Sequence, residues 1–111
     1  MPDGGVDFGA LDMRVGTVIA AERFPEARKP SLKLTIDFGA ELGIKRSSAQ
    51  ITVHYAPEQL VGRQVVAAVN LGTRRIAGFA SEVLVLGATP TAGEVILLMP
   101  DRQVPDGARI S

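Results

Sequence analysis

The chain reads as a series of short segments in which apolar and polar residues alternate. The clearest segment is residues 31–38, with the sequence Ser-Leu-Lys-Leu-Thr-Ile-Asp-Phe. Because successive side chains of a strand point to opposite faces, this spacing predicts a strand with one buried face. Residues 13–22 and the more polar residues 44–51 are also predicted to be strands, with a turn over residues 39–43.

The second half of the chain continues with segments of the same kind. Residues 57–62 begin with proline and end with glycine, which is typical of a short helical turn. Residues 64–70 are apolar on both faces, which predicts a central strand. Two further strands are predicted over residues 81–88 and 94–99, and a turn is predicted over residues 105–107.

The order of these elements predicts the fold. Three strands, a short helix and two more strands form the five-stranded oligonucleotide/oligosaccharide-binding (OB) barrel. We therefore predict an all-β fold, an OB-fold barrel with a short helix between strands 3 and 4. The chain has 111 residues and shows no linker or internal repeat, so we expect a single domain over residues 1–111.

The positive charges of the chain coincide with the ligand-binding side of that barrel. The net charge is zero, but the segment from Arg23 to Arg75 contains nine basic residues and four acidic ones. An OB barrel binds its ligand with strands 2 and 3 and with the loops between strands 1 and 2 and between strands 4 and 5. The basic residues at these places are Arg28, Lys29, Lys33, Lys45, Arg46, Arg74 and Arg75. A positive face of this kind predicts a polyanionic partner.

The segment around Arg74 and Arg75 is the strongest candidate for binding phosphate. We predict that both arginines lie in a turn, followed by Ser81 at the start of a strand. A guanidinium group donates two parallel hydrogen bonds to one anion, and the serine adds a hydroxyl group beside it. On strand 3, Lys45 and Arg46 point to opposite faces, so only one of them can line the groove.

The same sequence argues against several other functions. It contains no cysteine and one histidine, His54, so we expect no disulfide and no metal ion. It lacks the glycine-rich phosphate loops and the nucleophile motifs of common enzymes, so we expect no catalytic residue and no cofactor. Aromatic residues make up 5% of the chain, which supplies few rings for base stacking; Phe79 and Tyr55 are candidates, and Phe79 suits the core equally well.

The location of the protein is predicted from what the sequence lacks. The polar, acidic N-terminus does not have the basic start and apolar run of a secretory signal. No apolar run approaches the length of about 18 residues that a membrane span requires. We expect a cytoplasmic protein that does not insert into a membrane.

Several segments resemble a known family. Residues 12–18, Asp-Met-Arg-Val-Gly-Thr-Val, resemble the opening of the tRNA-binding domain family. That family includes free-standing tRNA-binding proteins, the EMAP II cytokine domain and the C-terminal extension of bacterial methionyl-tRNA synthetase. Residues 24–28, 36–39, 43–52 and 74–87 resemble the export-related chaperones of the CsaA type within it.

This resemblance implies an OB barrel whose N- and C-terminal extensions build a homodimer. We expect Phe8, Leu11 and Met13 at the dimer interface. In the wider family the segment at Ser81 reads Ser-x-Gly-Met and contributes to tRNA binding. Residues 81–84 of this chain are Ser-Glu-Val-Leu, so the resemblance carries tRNA contacts over to Ser81 and the basic residues only.

Three functions follow from these patterns. The first is non-catalytic binding of tRNA or another structured RNA, with RNA contacts from Arg28, Lys29, Lys33, Lys45, Arg46, Arg74, Arg75 and Ser81. The second, which the CsaA resemblance implies, is export-related chaperone activity on unfolded preproteins or peptides. The third is an assembly module that docks onto a protein partner without RNA. We favour the first function, combined with the second.

Overall fold

The computed structural model describes residues 10–111, which form nine strands and two short helices. In chain order the elements are β1 (Met13–Arg23), β2 (Leu32–Asp37), α1 (Gly39–Leu42), β3 (Ile44–Ala49), α2 (Pro57–Leu60), β4 (Gln64–Ala68), β5 (Arg74–Ile76), β6 (Phe79–Ser81), β7 (Leu84–Val85), β8 (Gly87–Ala88) and β9 (Ile96–Leu97). No helix in this part of the chain is long and apolar enough to cross a membrane.

Five of these strands form a nearly closed antiparallel barrel. Strands β3, β2, β1, β4 and β7 are neighbours in that order. The open side lies between β3 and the segment that joins β6 to β7. There, the Glu82 N–H donates to the Arg46 carbonyl oxygen at 2.8 Å, and the Ser48 N–H donates to Ser81 Oγ at 3.0 Å. With α2 between β3 and β4, this arrangement confirms the predicted all-β OB fold.

The core follows from the alternation in β2. Leu32, Leu34 and Ile36 are completely buried, and the polar residues between them face outward. Strand β4 is buried along its whole length because β1 and β7 flank it, as its apolar sequence predicts. Gly16 lies against this core, and a Cβ atom there would come within 2.6 Å of the Ile36 side chain.

The predicted turn at Arg74 and Arg75 is wrong. Both arginines lie in β5, which forms a hairpin with β6. The turn is Ala77-Gly78, with φ angles of 47° and 82°. A two-residue loop with positive φ at both positions matches the twist of a hairpin, so the reversal occurs two residues after Arg75 and leaves both arginines on a strand.

The single strand predicted over residues 81–88 is also wrong. This stretch contributes in turn to β6, β7 and β8, which pair with β5, β4 and β9 respectively. The apolar sequence is compatible with a strand throughout, but it does not reveal that the backbone changes partner twice. The predicted turn over residues 39–43 contains the one-turn helix α1.

The C-terminal segment packs along the first half of β1. The Gly107 N–H donates to the Val15 carbonyl oxygen at 2.7 Å, and the Ile110 N–H donates to the Met13 carbonyl oxygen at 2.9 Å. Asp106 accepts a hydrogen bond from the Thr17 hydroxyl group at 2.6 Å. This segment is therefore part of the fold of its own chain.

The proposed dimer interface is only partly covered by the structure. Phe8 lies outside the described residues. Leu11 and Met13 are half-buried at the start of β1. The homodimer therefore stays a prediction.

Candidate nucleic-acid interface

The β5–β6 hairpin divides the basic surface into two clefts. Arg74 and Arg75 are adjacent residues of one strand, so their side chains point to opposite sides of the hairpin. Arg75 shares one cleft with Lys33 and Arg46. Arg74 shares the other with Arg28 and Lys29. We call these the Arg46 cleft and the Arg74 cleft.

The Arg46 cleft has a volume of about 440 Å³ and lies on the outer face of β2 and β3. The register of these strands pairs Thr35 with Arg46 and Lys33 with Ser48, which brings Lys33 and Arg46 to the same face. The wall opposite is the tip of the β5–β6 hairpin. The complete lining is Glu26, Lys33, Arg46, Arg75, Ala77, Gly78, Phe79 and Ala80.

Two buried aromatic rings support the cations of the Arg46 cleft. Phe24 and Phe79 pack edge to face, with their ring centroids 5.4 Å apart. Lys33 Nζ lies 4.6 Å from the Phe24 centroid, and Arg46 Cζ lies 4.4 Å from the Phe79 centroid. Cations at such distances are attracted to the negative face of the ring. Phe79 is therefore a core residue beneath Arg46, and the alternative of direct base stacking on its ring does not fit.

The Arg74 cleft is smaller, about 220 Å³, and lies beside the loop between β1 and β2. That loop is closed by the Phe24 N–H, which donates to the Ser31 carbonyl oxygen at 3.1 Å. Arg28 and Lys29 protrude from it towards the hairpin. The other lining residues are Ala27, Ser31, Ser48, Gln50, Arg74 and Ile76, so no residue lining this cleft is acidic.

The cations of both clefts have few partners within the protein. Within residues 10–111, no carboxylate oxygen lies within 4.0 Å of the charged groups of Arg28, Lys29, Arg46, Arg74 or Arg75. Lys33 has one distant carboxylate partner, Glu22, at 4.0 Å. Since their donors are not used by the protein's own carboxylates, these side chains can donate to an external anion.

Lys45 and Ser81 do not join the cluster. Lys45 pairs with the core residue Ile36 and is half-buried, so Arg46 is the residue of β3 that lines the cleft. Ser81 is 8% exposed, and its Oγ accepts the Ser48 N–H. In this structure the serine closes the barrel behind the Arg74 cleft.

Sequence reasoning missed two residues that position Arg46. Phe24 lies between the strands predicted over residues 13–22 and 31–38, yet its ring packs against Phe79 and lies next to Lys33 Nζ. Glu82 accepts the Arg46 N–H with its carboxylate at 3.0 Å and donates its own N–H to the Arg46 carbonyl oxygen. An aromatic residue directly after a strand was the available signal for Phe24; nothing local indicated Glu82, which is 36 residues away from Arg46.

The Asp-x-Arg motif of the resemblance lies at the other end of the barrel. Arg14 is 8% exposed and donates to Asp12 at 2.7 Å, to Glu41 at 3.1 Å and to the Gly107 carbonyl oxygen at 3.1 Å. The hydrogen bonds from its guanidinium to Asp12 and Glu41 raise the pKa of Arg14. This arginine therefore joins β1, α1 and the C-terminal segment, and its donors are not available to a ligand.

The lone histidine lies beside a half-buried carboxylate. His54 Nε2 lies 3.0 Å from Glu94 Oε1, and the Thr91 hydroxyl group donates to the same carboxylate at 2.9 Å. The hydrogen bond from Thr91, followed by that from His54, lowers the pKa of Glu94. Over residues 10–111 no three side chains of His, Asp or Glu gather closely enough to hold a metal ion. The absence of a metal and of a cofactor stays a prediction.

Comparisons with known proteins identify the family. The family model described as "Putative tRNA binding domain" matches residues 13–109. The structure of the chaperone CsaA from Bacillus anthracis has a TM-score of 0.90 and 55% sequence identity, and the match covers 97% of this chain and 100% of that chain. A CsaA chaperone protein from Picrophilus torridus has a TM-score of 0.87 and 47% identity, with 95% of both chains covered.

A larger enzyme contains a related segment. The methionine–tRNA ligase of Porphyromonas gingivalis is 41% identical over 104 residues, which are 94% of this chain and 15% of the ligase. The chain thus spans a small part of the length of the ligases that it matches. Since the family model covers all but the two ends of the sequence, the chain belongs to the tRNA-binding domain family.

Proposed function

We propose that this protein binds tRNA or another structured RNA, without catalysis, through the Arg46 and Arg74 clefts. The observation that carries this proposal is the set of five cations that face these clefts without a carboxylate partner among the described residues. They lie on the side of an OB barrel that usually binds ligands. Membership of the tRNA-binding domain family supports the choice of RNA.

The spacing of the clefts suits a folded RNA backbone. Arg74 and Arg75 lie on opposite sides of one hairpin, so each contacts a different phosphate group. Arg28 and Lys29 contact the RNA backbone next to Arg74, and Lys33 contacts it next to Arg75. Lys45 and Ser81 have smaller roles in this proposal, because Lys45 lies on the core side of β3 and Ser81 acts on the position of Ser48.

The first test is the salt dependence of binding. Purified protein is titrated with bulk tRNA at several salt concentrations, and we expect affinity to fall steeply as salt rises, since phosphate contacts release counterions. Replacing both Arg74 and Arg75 with alanine should weaken binding and reduce the slope of log affinity against log salt by about 2. Circular dichroism checks that the variant is folded.

The matched control replaces Arg102 and Arg109 with alanine. Both are exposed arginines outside the two clefts, so the net charge changes equally. This control should retain most of the salt slope. If it and the Arg74/Arg75 variant change the slope equally, RNA binding does not depend on where the positive charges lie and the clefts are not the site.

We further propose chaperone activity on unfolded polypeptides, in export, as a second function. The similarity to the CsaA chaperones over nearly the whole chain favours it. A third cleft, lined by Arg23, Phe24, Pro25, Pro30, Ser31 and Thr52, offers apolar surface to an extended peptide beside the basic face. An unfolded polypeptide should then bind with little dependence on salt, and a steep dependence would contradict apolar capture.

Competition between the two ligands decides how these functions are related. If tRNA displaces the polypeptide, they share one surface; if both bind together, the surfaces are separate. If neither binds, the third function, docking onto a protein partner, takes their place.

We propose a homodimer in the cytoplasm as the active form, with Phe8, Leu11 and Met13 at its interface. Several large apolar side chains, among them Leu84 and Met99, are exposed in the single chain, and their exposure supports this proposal. Sedimentation equilibrium tests the dimer. A monomer at all accessible concentrations would contradict it.

A further inference from the structure

We propose that the Arg46 cleft takes one unpaired nucleobase of the bound RNA, stacked on the outer face of the Arg46 guanidinium. This inference rests on the proposed RNA binding and specifies what part of the RNA the cleft accepts. It follows from three features of the cleft: a planar cation that lies against an aromatic ring, a strand position that holds the backbone of that residue, and an acidic residue in the lining.

The guanidinium of Arg46 lies against a buried aromatic ring. Its Cζ atom lies 4.4 Å from the centroid of Phe79, a ring that is itself 6% exposed and packed against Phe24. Arg46 as a whole is exposed. The cation therefore lies close to the ring, while the exposed side chain lines the cleft and can present its plane to a base.

The backbone of Arg46 is held from both sides. Its N–H donates to the Glu82 carboxylate at 3.0 Å, and its carbonyl oxygen accepts the Glu82 N–H at 2.8 Å. Inside β3 it is also paired with Thr35 of β2. The backbone that carries the Arg46 side chain is therefore ordered before RNA binds, which lowers the conformational entropy lost on binding.

The lining favours a base over a second phosphate in the centre of this cleft. Glu26 lines it together with the cations, and its carboxylate repels phosphate but can accept a hydrogen bond from the N–H groups of a base. A volume of about 440 Å³ lies in the range of sites for small ligands. Arg75 and Lys33 at the walls remain available for the phosphates that flank the base.

Arg46 is also the suitable planar group on this face. Single-stranded RNA bases stack on aromatic rings or on arginine planes. Of the rings in the described part of the chain, Phe24, Phe38 and Phe79 are buried, and neither Tyr55 nor His54 lines this cleft. The guanidinium on Phe79 therefore offers the flat surface that the aromatic side chains do not.

The test separates base stacking from charge. A short single-stranded RNA is compared with an abasic strand of the same length, which carries the same phosphates without bases. We expect the wild-type protein to bind the RNA at least about five-fold more tightly than the abasic strand, as one stacked base provides. The variant Arg46→Lys keeps the charge and loses the plane, so it should lose most of this preference at an unchanged salt slope.

The matched control is Arg28→Lys, which makes the same change at an arginine of the Arg74 cleft. It should keep the wild-type preference for RNA over the abasic strand. If Arg46→Lys also keeps that preference, or if the wild type has none while it binds tRNA with a steep salt slope, this inference is overturned and the proposed function stands. If the wild type binds no RNA, both are overturned.

Discussion

The two ends of this barrel use arginine in opposite ways. At one end Arg14 is buried, and its guanidinium donates to Asp12, Glu41 and the Gly107 carbonyl oxygen. We call these four residues the Arg14 cluster. At the other end the arginines of the two clefts are exposed, and no carboxylate among the described residues lies within 4.0 Å of them.

This difference separates stability from binding. Removing Arg14 leaves the partly buried Asp12 carboxylate and the Gly107 carbonyl oxygen without their hydrogen-bond donor, which destabilises the fold. An exposed cation contributes little to stability, because water solvates it as well as a neighbouring carboxylate does. The Arg14 cluster should therefore affect the free energy of unfolding, and the clefts should affect the affinity for RNA.

The largest expected effect on stability follows from removing Arg14 from the Arg14 cluster. Arg14→Ala leaves Asp12 and the Gly107 carbonyl oxygen without their donor, and the free energy of unfolding should fall further than for Ser81→Ala or Glu94→Gln. Urea unfolding measures this change. The exposed Arg109→Ala, on the C-terminal segment that pairs with β1, should stay within about 0.5 kcal/mol of the wild type. A stable Arg14→Ala protein with weakened tRNA binding would reverse the proposed division.

A smaller effect is expected at Ser81, which lies between the two regions. Ser81→Ala removes the acceptor of the Ser48 N–H at the barrel closure, and the free energy of unfolding should fall by about 1 kcal/mol. The salt slope of tRNA binding should not change. The control is Thr73→Ala, because Thr73 is exposed in the loop between β4 and β5. Unchanged stability with lost affinity would show instead that Ser81 contacts RNA directly.

The smallest effect is expected at the pair of His54 and Glu94. The lowered pKa of Glu94 means that its ionised form is favoured in the folded state, first by Thr91 and then by His54. Its contribution to stability is therefore complete above the ordinary pKa of 4.5 and is lost as pH falls through the lower folded value. Urea unfolding between neutral and acidic pH should show this loss in the wild type. Glu94→Gln should show less of it, and an identical pH profile would contradict the assignment.

Much of the candidate site was predictable because OB barrels bind ligands at defined places. The loop with Arg28 and Lys29, and the strands with Lys33 and Arg46, lie where the element order predicted them. The division of Arg74 and Arg75 between two clefts was not predictable, because it depends on where the hairpin turn falls. A shift of the turn by two residues converts two neighbours in a loop into residues on opposite faces of a strand.

The sequence by itself determined the first four strands of the barrel, their order and the placement of positive charge, because alternation and turn residues are local signals. It also identified the family through its motifs. Only the tertiary structure decided which charges are used within the protein and which are free. Nothing in the local sequence distinguishes Arg14 from Arg46. The guanidinium of Arg14 donates to the Gly107 carbonyl oxygen, 93 residues away, whereas Glu82, 36 residues from Arg46, contacts only the backbone of that arginine. Such contacts depend on how the barrel closes, and no local pattern records them.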